Sequence, residues 1–506
     1  MRPVRPACAL VALLVLPGAL SAQEPYRDPP EPIARILDAP QTPLVSVSPG
    51  RDWLVFLERP GLPSIEEVSA PDLRLAGLRI NPATNGPARE FTSTGILLRR
   101  LDGSVERRVL LGDKPRVGSV DWSPDGSRIA FTVTEADGIA LWVTDIATAT
   151  PTRLTPPRLN QARGAACTWL DSAALLCRMV PGGRGSAPIR NHVPTGPVVQ
   201  ESKGRAAPNR TYQDLLASPH DEQLFDHYLT SQLTIVGVDG SLTPIGAPGV
   251  YGSAEPSPDG RYILVEAIHR PYSYLVPMSR FPARLEVWDR QGTVVRRVHD
   301  RPLTEERPTS FDAVATGPRN IGWRADTPAT LVWAEALDGG DPARAAAKRD
   351  RVLTHAAPFT AEPATLAELE TRYGGVTWGR ADLALVTEVW RKNRRAKTWV
   401  VDPSAPSKAP RLLFDRSTED RYADPGRFAM RRTPMGTNVL HLSSDGRSAW
   451  LLGQGASPEG DRPFLDRIAL ATGRTERLWR SEAPSYEEVT ALVDPVRLAK
   501  LVVLQQ

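Results

Sequence analysis

A short turn signature recurs along the chain, and each copy is followed by alternating apolar and polar residues. The clearest copy is Ser-Pro-Asp-Gly at 123–126; a second occupies 257–260, and a weaker third, Ser-Ser-Asp-Gly, occupies 443–446. In such a turn the Asp side chain can bond its own backbone, and the Gly takes the positive φ that ends the turn. The alternation that follows is typical of a strand with one buried face.

Looser copies of the signature extend the repeat over the whole chain. Three keep a Trp ahead of an Asp, at 169–171, 323–326 and 378–382, and Asp52 and Asp494 mark the first and last members. Successive signals lie 46 to 88 residues apart, enough for a four-stranded sheet with variable loops. The sequence therefore predicts an all-β protein, a β-propeller of seven or eight four-stranded blades with the last blade incomplete.

The N-terminus is expected to be separate from this fold. Residues 1–22 combine a short basic start, an apolar run at 7–16 and small residues before Gln23, the pattern of a cleaved secretory signal peptide. The apolar run is short for an uncleaved anchor, which is the alternative. We therefore expect an N-terminal arm at 23–44, a propeller at 45–506, and a periplasmic or secreted protein without a membrane span after cleavage.

The basic isoelectric point does not indicate a nucleic-acid partner. Removing residues 1–22 lowers the formal charge from +4 to +2, since Arg2 and Arg5 are lost without any acid. The basic run at 391–397 lies between two strand patterns, where a solvated hairpin turn is expected. No nucleic-acid partner is predicted.

The sequence holds no complete catalytic or cofactor-binding motif. A Ser nucleophile elbow needs Gly-x-Ser-x-Gly between a strand and a helix, but the near matches at 446–450 and 455–459 lack the final Gly. The Gly-rich segment 182–186 is not followed by Lys-Ser or Lys-Thr, so a flexible loop is expected there instead of a phosphate loop. The sequence predicts no catalytic residue and no cofactor.

Two segments are predicted to be helical. One is Ala364 to Arg372, because Leu366, Leu369 and Tyr373 are spaced as on a helix face; the other is a short insertion within 208–231. The insertion holds the densest group of metal-ligand types. That group is His220, Asp221, Glu222, Asp226 and His227. Its spacing matches no zinc pattern, so a polar helix surface is predicted and no metal.

Two cysteines remain after residues 1–22. Cys167 and Cys177 flank the turn around Asp171 at equal distances, so they could face each other across a hairpin. In an exported protein a disulfide would be stable. Two buried free thiols are the alternative.

Longer strings carry a more specific signal than the turn. They include Tyr-Arg-Asp-Pro-Pro-Glu-Pro-Ile at 26–33, Leu-Ala-Gly-Leu-Arg-Ile at 75–80, Arg-Thr-Tyr-Gln-Asp-Leu-Leu at 210–216 and Glu-Ala-Leu-Asp-Gly-Gly-Asp-Pro at 335–342. These strings resemble the glutamyl endopeptidase branch of the prolyl oligopeptidase family of serine peptidases. The resemblance runs from about residue 26 to the C-terminus. It implies a propeller that covers an α/β-hydrolase domain bearing a Ser-Asp-His triad and restricts access to it.

The chain departs from the family pattern at its end, because it stops at 501–506 in what reads as a strand of the last blade. We therefore expect a fragment, a split gene or a frame-shifted product that is inactive alone. Its propeller would gate and orient peptides for a hydrolase domain supplied in cis or from an adjacent reading frame. A stand-alone, non-enzymatic binding or adaptor propeller of the cell envelope is the alternative.

The resemblance also directs attention to arginines, because peptides cut after Glu carry a carboxylate and an Arg fork binds a carboxylate at two points. The candidates for substrate contact are Arg79, Arg89, Arg280 and Arg319. Arg79 lies within the string at 75–80, and Arg280 within a further family-like string, Arg-Phe-Pro at 280–282. For each of the four, the alternative is a structural Arg that bonds loop carbonyls or a neighbouring acid.

Overall fold

The computed structural model describes residues 29–39, 41–190, 212–306, 310–492 and 501–505. Antiparallel sheets dominate these residues: five have four strands, and one seven-stranded sheet forms two further blades that share a long strand. The predicted propeller is therefore confirmed, with seven four-stranded blades. None of the helices in the described part of the chain is long and apolar enough to cross a membrane.

The first two blades follow a short N-terminal helix, and blade 1 carries an insertion of a helix and three short strands. The elements are α1 (Glu31–Asp38), β1 (Gln41–Val47), β2 (Trp53–Arg59), α2 (Ile65–Ser69), β3 (Leu73–Leu75), β4 (Leu78–Asn81), β5 (Gly86–Pro87), β6 (Gly95–Arg100), β7 (Glu106–Val109), β8 (Val117–Trp122), β9 (Arg128–Thr134), β10 (Ile139–Asp145) and β11 (Pro151–Arg153). Blade 1 is β1-β2-β6-β7 and blade 2 is β8-β9-β10-β11.

Blades 3 and 4 form the seven-stranded sheet and surround a second insertion. The elements are β12 (Cys167–Asp171), β13 (Ala174–Met179), α3 (Pro219–Leu229), β14 (Thr230–Gly237), β15 (Leu242–Pro256), β16 (Tyr262–Ile268), a 3₁₀ turn (Met278–Arg280), β17 (Ala283–Asp289) and β18 (Val294–Arg301). The start of β15 pairs with β14 and its end pairs with β16, so one strand closes blade 3 and opens blade 4.

The remaining blades follow without shared strands. The elements are β19 (Arg319–Trp323), β20 (Thr330–Ala336), β21 (Asp350–Ala356), β22 (Ala364–Leu369), β23 (Arg372–Arg380), β24 (Leu383–Trp390), a 3₁₀ turn (Arg391–Asn393), β25 (Arg395–Val401), β26 (Arg411–Ser417), β27 (Arg427–Phe428), β28 (Met430–Arg432), β29 (Asn438–Leu440), β30 (Ser448–Gly453), β31 (Phe464–Ala469), β32 (Thr475–Arg480), β33 (Glu487–Leu492) and β34 (Leu501–Gln505). Blade 5 is β19 to β22, blade 6 is β23 to β26, and blade 7 is β27-β30-β31-β32. A further pair, β33-β34, packs beside blade 7.

The recurring turn forms as its sequence predicts. The Gly126 amide donates to the Ser123 carbonyl at 2.9 Å, and Asp125 Oδ1 accepts from the Ser127 amide at 3.1 Å. Gly126 has φ 72°. The Asp side-chain bond recurs in the copies at 257–260 and 443–446, while the last predicted member, Asp494, lies outside the described residues. The signature therefore joins the first and second strands of its blades.

Adjacent blades pack face to face through buried apolar side chains. Val55 and Ile96 of blade 1 pack with Phe131 of blade 2, and comparable clusters fill the seams from blades 2 and 3 through to blades 6 and 7. The last cluster joins Trp450 of blade 7 to Val489 of β33. Burial of these surfaces between sheets, instead of one central core, gives the fold its radial form.

The antiparallel order gives the ring two different ends. Short turns join first to second strands at one end, which we call the turn face. Second and third strands are joined at the opposite end, the loop face, and these connections include the long segments 60–94, 180–229 and 269–282. Because irregular loops carry most binding groups on rigid scaffolds, the loop face is where a functional site is expected.

A β-hairpin from blade 7 crosses the ring near its turn face. The hairpin is β28-β29, and it leaves the first strand of blade 7 between Ala429 and His441. Arg432 Nη2 donates to the Trp122 carbonyl of blade 2 at 2.9 Å, and Thr437 Oγ1 donates to the Ala325 carbonyl of blade 5 at 2.6 Å. Only a segment that spans the axial opening can contact both blades.

Two sequence expectations about helices had different outcomes. The insertion within 208–231 is helical as predicted, since α3 occupies Pro219–Leu229. The helix predicted at Ala364 to Arg372 is wrong: β22 pairs with β21, and a turn then leads into β23. Hydrogen bonding to a neighbouring strand outweighed the helical spacing of the leucines. The first strand begins at Gln41, four residues before the predicted boundary, and residues 1–22 lie outside the described residues.

The candidate substrate face

The long connections of the loop face pack into one cluster with its own apolar core. Its buried members come mainly from the β3-β4 hairpin, from α3 and from the segment before β17, with others from the adjoining connections and strands. They are Leu75, Ala76, Ile80, Ala162, Leu216, Phe225, Tyr228, Leu229, Val250, Ile268, Val276, Met278, Phe281 and Ala283. Backbone bonds link the three parts: the Gly77 amide donates to the Asp214 carbonyl at 2.8 Å, and the Met278 amide to the Ala76 carbonyl at 2.9 Å. The insertions therefore act as one rigid cap on this face.

Two of the four predicted arginines lie on this cap. Arg79 Nε donates to Asp214 Oδ2 at 2.7 Å, and its side chain is half exposed. Arg280 lies over the ring of Tyr212, with its guanidinium carbon 5.3 Å from the centroid. The structure thus brings both arginines to the segment 212–214, although 135 residues separate Arg79 from Asp214 in sequence.

The other two predicted arginines are bonded to the protein itself. Arg89 Nη2 donates to the Val68 carbonyl at 2.6 Å, and Nη1 donates to the Ala88 carbonyl at 2.8 Å. Arg319 is ion-paired with Asp350, which is fully buried. Arg79, Arg89 and Arg280 belong to the insertions, whereas Arg319 lies where blade 5 meets blade 6.

An arginine outside α3 forms ion pairs with two acidic side chains of this helix. Arg270 pairs with Glu222 and, at 2.7 Å, with Asp226, and Tyr274 donates to Glu222 at 2.8 Å. Although burial raises the pKa of Glu222, the hydrogen bonds from Arg270 and Tyr274 outweigh it and hold the pKa below its usual value. Across the described residues, no group of three or more His, Cys, Asp or Glu side chains is arranged to hold a metal ion.

Several other predicted positions have a clear place in the fold. Cys167 and Cys177 face each other across the β12-β13 pair, and the structure joins them by a disulfide. The basic run at 391–397 begins with a 3₁₀ turn, Arg391–Asn393, and continues into β25, so the predicted hairpin turn between two strands is confirmed. The near match at 446–450 runs from a turn into β30 and reaches no helix. Neither of the two elbow-like strings therefore has the strand-to-helix setting of a nucleophile.

The Gly-rich segment 182–186 contains no helix or strand, and its Arg184 is held by residues of the loop face. Arg184 lies over the ring of Tyr228, with 5.7 Å between the guanidinium carbon and the centroid. It also donates to the Asn85 side chain. Arg184 and its neighbours Arg158, Arg163 and Arg178 were not among the sequence-based candidates. They come together only because backbone hydrogen bonds join 158–166 to 178–180, and no sequence motif marks such a contact.

Seven packed blades with their long connections on one side define a β-propeller, the class of scaffold that binds ligands through loops at one end of the ring. No protein-family model matches the chain. A probable chloroplastic glutamyl endopeptidase of Oryza sativa subsp. japonica is 40% identical over 493 residues, which cover 94% of this chain and 53% of the relative. The protein of the same name from Arabidopsis thaliana is 40% identical over 488 residues, covering 92% and 51%.

The chain belongs to the glutamyl endopeptidase branch of the prolyl oligopeptidase family. It spans about half the length of the curated relatives that it matches. Among solved structures, one from a structural and mechanistic study of two prolyl endopeptidases is similar with a TM-score of 0.43 and 13% identity, covering 90% of this chain and 52% of that chain.

Proposed function

We propose that this chain is the propeller half of a glutamyl endopeptidase-like serine peptidase, and that it restricts and orients peptides for a hydrolase domain encoded outside this sequence. The observation that carries the proposal is 40% identity, over almost the whole chain, to glutamyl endopeptidases about twice as long. Substrates in this proposal are peptides that contain Glu.

The arrangement of the two faces supports this role. The hairpin β28-β29 crosses the opening near the turn face, with Arg432 and Thr437 bonded to blades 2 and 5. The loop face carries the rigid cap and the arginines Arg79, Arg89 and Arg280. Peptides would therefore be presented to the hydrolase domain at the loop face, and the hairpin would exclude axial entry from the opposite side.

A chimera tests the proposal. The chain would be joined to the C-terminal half of the rice relative, and cleavage of an internally quenched peptide with one Glu would be compared with cleavage of its Gln counterpart. We expect the chimera to prefer the Glu peptide and to spare folded proteins, and the C-terminal half alone to lose both preferences. A folded chimera without the Glu preference would overturn the proposal. So would serine-inhibitor-sensitive cleavage by this chain alone, because its described residues hold no strand-to-helix nucleophile.

We further propose that the protein is exported, with residues 1–22 as a cleaved signal. The support is the basic start, the apolar run at 7–16 and the small residues ahead of Gln23, the pattern of a cleaved signal peptide. Expression with the native N-terminus in a bacterial host, followed by fractionation and N-terminal sequencing, should recover a periplasmic protein that begins at Gln23. An intact N-terminus in the cytoplasmic fraction would contradict export.

A further inference from the structure

Four partly buried arginines lie together at the loop face of blade 3. They are Arg158, Arg163, Arg178 and Arg184, here named the arginine cluster. Backbone pairing brings them together, since the Asn160 amide donates to the Arg178 carbonyl at 2.9 Å and the Val180 amide to the Arg158 carbonyl at 2.7 Å.

Protein carbonyls, which carry no full charge, hold two of the four guanidinium groups. Arg178 Nη2 donates to the Ala165 carbonyl at 2.7 Å and to the Gly164 carbonyl at 3.3 Å. Arg158 Nη2 donates to the Pro181 carbonyl. These bonds fix the direction of each side chain, but no carboxylate among the described residues pairs with either charge.

The other two members of the cluster, Arg184 and Arg163, also have little negative charge beside them. Arg184 donates to the Asn85 side chain and, at 3.4 Å, to the His227 carbonyl. Arg163 lies 3.8 Å from Glu266, which has a closer partner in Arg301 at 2.8 Å. Within the described ranges, Arg163 is thus the one member of the cluster that has an ion pair with a carboxylate.

Two members of the cluster lower the guanidinium pKa of the other two. Burial and the nearby Arg163 lower the pKa of Arg178 to about 10. Burial lowers the pKa of Arg184 as well, and Arg158 adds to the lowering. A lowered guanidinium pKa marks a positive charge that the surroundings stabilise poorly, and an anion at this position would restore the balance.

Several other arginines on the same face have a carboxylate partner. Arg79 pairs with Asp214, Arg270 pairs with Asp226, and Arg395 pairs with Asp415 at 2.6 Å. Arg89, held by the Val68 and Ala88 carbonyls, and Arg280, over Tyr212, have no ion pair among the described residues either. The cluster differs from them because it brings four guanidinium groups together. A carboxylate is the anion whose two oxygens match a guanidinium fork.

We propose that the arginine cluster binds a carboxylate of the peptide substrate, with Arg178 and Arg184 as the contacting residues. This inference rests on the proposed function, because that function supplies the acidic peptide. The carboxylate is either a Glu side chain or the C-terminus of the peptide. The carbonyl bonds keep each fork oriented before the ligand arrives.

Fluorescence polarisation of the purified chain tests the proposal with three labelled decapeptides. One contains a single Glu and an amidated C-terminus, the second has Gln in place of Glu, and the third has Gln with a free C-terminal carboxylate. We expect the Glu peptide to bind roughly 10- to 100-fold more tightly than the amidated Gln peptide, the range of a hydrogen bond to a charged group. Preference for the third peptide over the first would assign the site to C-termini. Equal affinity for all three would overturn the proposal.

Variants then locate the site. Arg178→Gln and Arg184→Gln should each remove most of the preference, while Arg178→Lys should keep part of it because the charge remains. Arg395→Gln is the matched control, since it removes one charge from the same face at a residue that already has a carboxylate partner. An equal loss in Arg395→Gln would show long-range attraction instead of a site and would overturn the assignment. Thermal unfolding of each variant separates lost binding from lost folding.

The chimera distinguishes this inference from the proposed function. If the chimera cleaves Glu peptides and both Gln variants leave kcat/KM unchanged, the arginine cluster is not the site but the proposed function stands. If the chain binds Glu peptides through the cluster and the chimera has no Glu preference, the site stands and the proposed function fails.

Discussion

Arg372 and Asp338 form a two-point ion pair where blade 5 meets blade 6. Arg372 Nη1 donates to Asp338 Oδ1 at 2.8 Å and Nη2 donates to Oδ2 at 2.7 Å. Asp338 is 1% exposed, and it also accepts from Arg349 at 2.9 Å. Arg372 reaches Asp350 as well, at 3.0 Å. The pair therefore ties the second-to-third strand connection of blade 5 to the first strand of blade 6.

Removing the charge of Asp338 should destabilise the protein strongly. Asp338→Asn keeps the shape of the side chain but leaves the buried Arg372 short of a counter-ion, a change that costs about 3–5 kcal/mol. The free energy of unfolding from urea titration measures the effect. Asp382→Asn, which breaks an exposed pair with Arg380, is the control and should cost no more than about 1 kcal/mol. Equal losses in the two variants would contradict a special role for the blade 5 and 6 seam.

Acid should destabilise the protein through His441, at the base of the crossing hairpin. Burial, helped by Arg51 and Arg431, lowers the pKa of His441 to about 4, while an unfolded His titrates near 6.5. Between these values the unfolded state binds a proton that the folded state does not, so stability falls as the pH drops from about 6.5 towards 4. In the folded state the neutral ring can accept from Arg51 at 3.2 Å.

The variant His441→Gln tests this pH dependence. Gln can still accept a hydrogen bond from Arg51 and does not titrate, so the difference in unfolding free energy between pH 7 and pH 5 should shrink. His220→Gln, on α3, is the control and should keep the pH dependence of the unaltered chain. An unchanged slope in His441→Gln would show that another group is responsible.

A glycine of the recurring turn should be irreplaceable where blades meet. Gly260 has φ +66°, and a Cβ added to it would lie 2.4 Å from the Leu170 carbonyl oxygen of blade 3. Gly260→Ala should cost about 2–4 kcal/mol, from the left-handed backbone and the clash together. Gly240→Ala is the control: Gly240 has φ +86° but nothing within 4 Å of the added atom, so about 1–2 kcal/mol is expected. Calorimetric unfolding measures both, and equal costs would argue against a tight contact between blades 3 and 4.

An engineered disulfide should report the path of the crossing hairpin. A Cβ built on Gly436 lies 3.2 Å from Cβ of Pro124 in blade 2, close to the separation in disulfides. The double variant Pro124→Cys with Gly436→Cys should therefore form an intrachain cross-link under mild oxidation, detected by mass spectrometry of non-reduced digests. Pro124→Cys with Gly460→Cys is the control and should form none, since Gly460 has no neighbour within 4 Å. Absence of the first cross-link would place the hairpin outside the axial opening.

Local chemistry made the blades predictable from sequence. The turn at 257–260 needs only a Ser, an Asp and a Gly within four residues, and these bonds form among those residues and the next one along the chain, Arg261. The hairpin turn at 391–394 was likewise predicted from its place between two strand patterns, although Asp312, far away in sequence, also accepts from the Arg391 and Lys392 amides. Local spacing gave a wrong prediction where pairing with a neighbouring strand sets the secondary structure. Leu366 and Leu369 are spaced as on a helix, yet they lie on β22 because β22 forms a ladder of hydrogen bonds with β21.

By itself, the sequence determined the repeat, the radial fold class and the family, since each depends on residues close together in the chain. The tertiary structure alone decided which arginines have acidic partners. Arg319 was chosen from sequence as a substrate contact, and it is paired with the buried Asp350. Arg178 belongs to no sequence motif. In the structure its guanidinium group bonds to carbonyls, and its pKa is lowered by burial and by Arg163, with no carboxylate in the described residues to neutralise its charge. Electrostatic compensation depends on distances of a few ångströms between residues far apart in sequence, and only the packing of blades and insertions sets those distances.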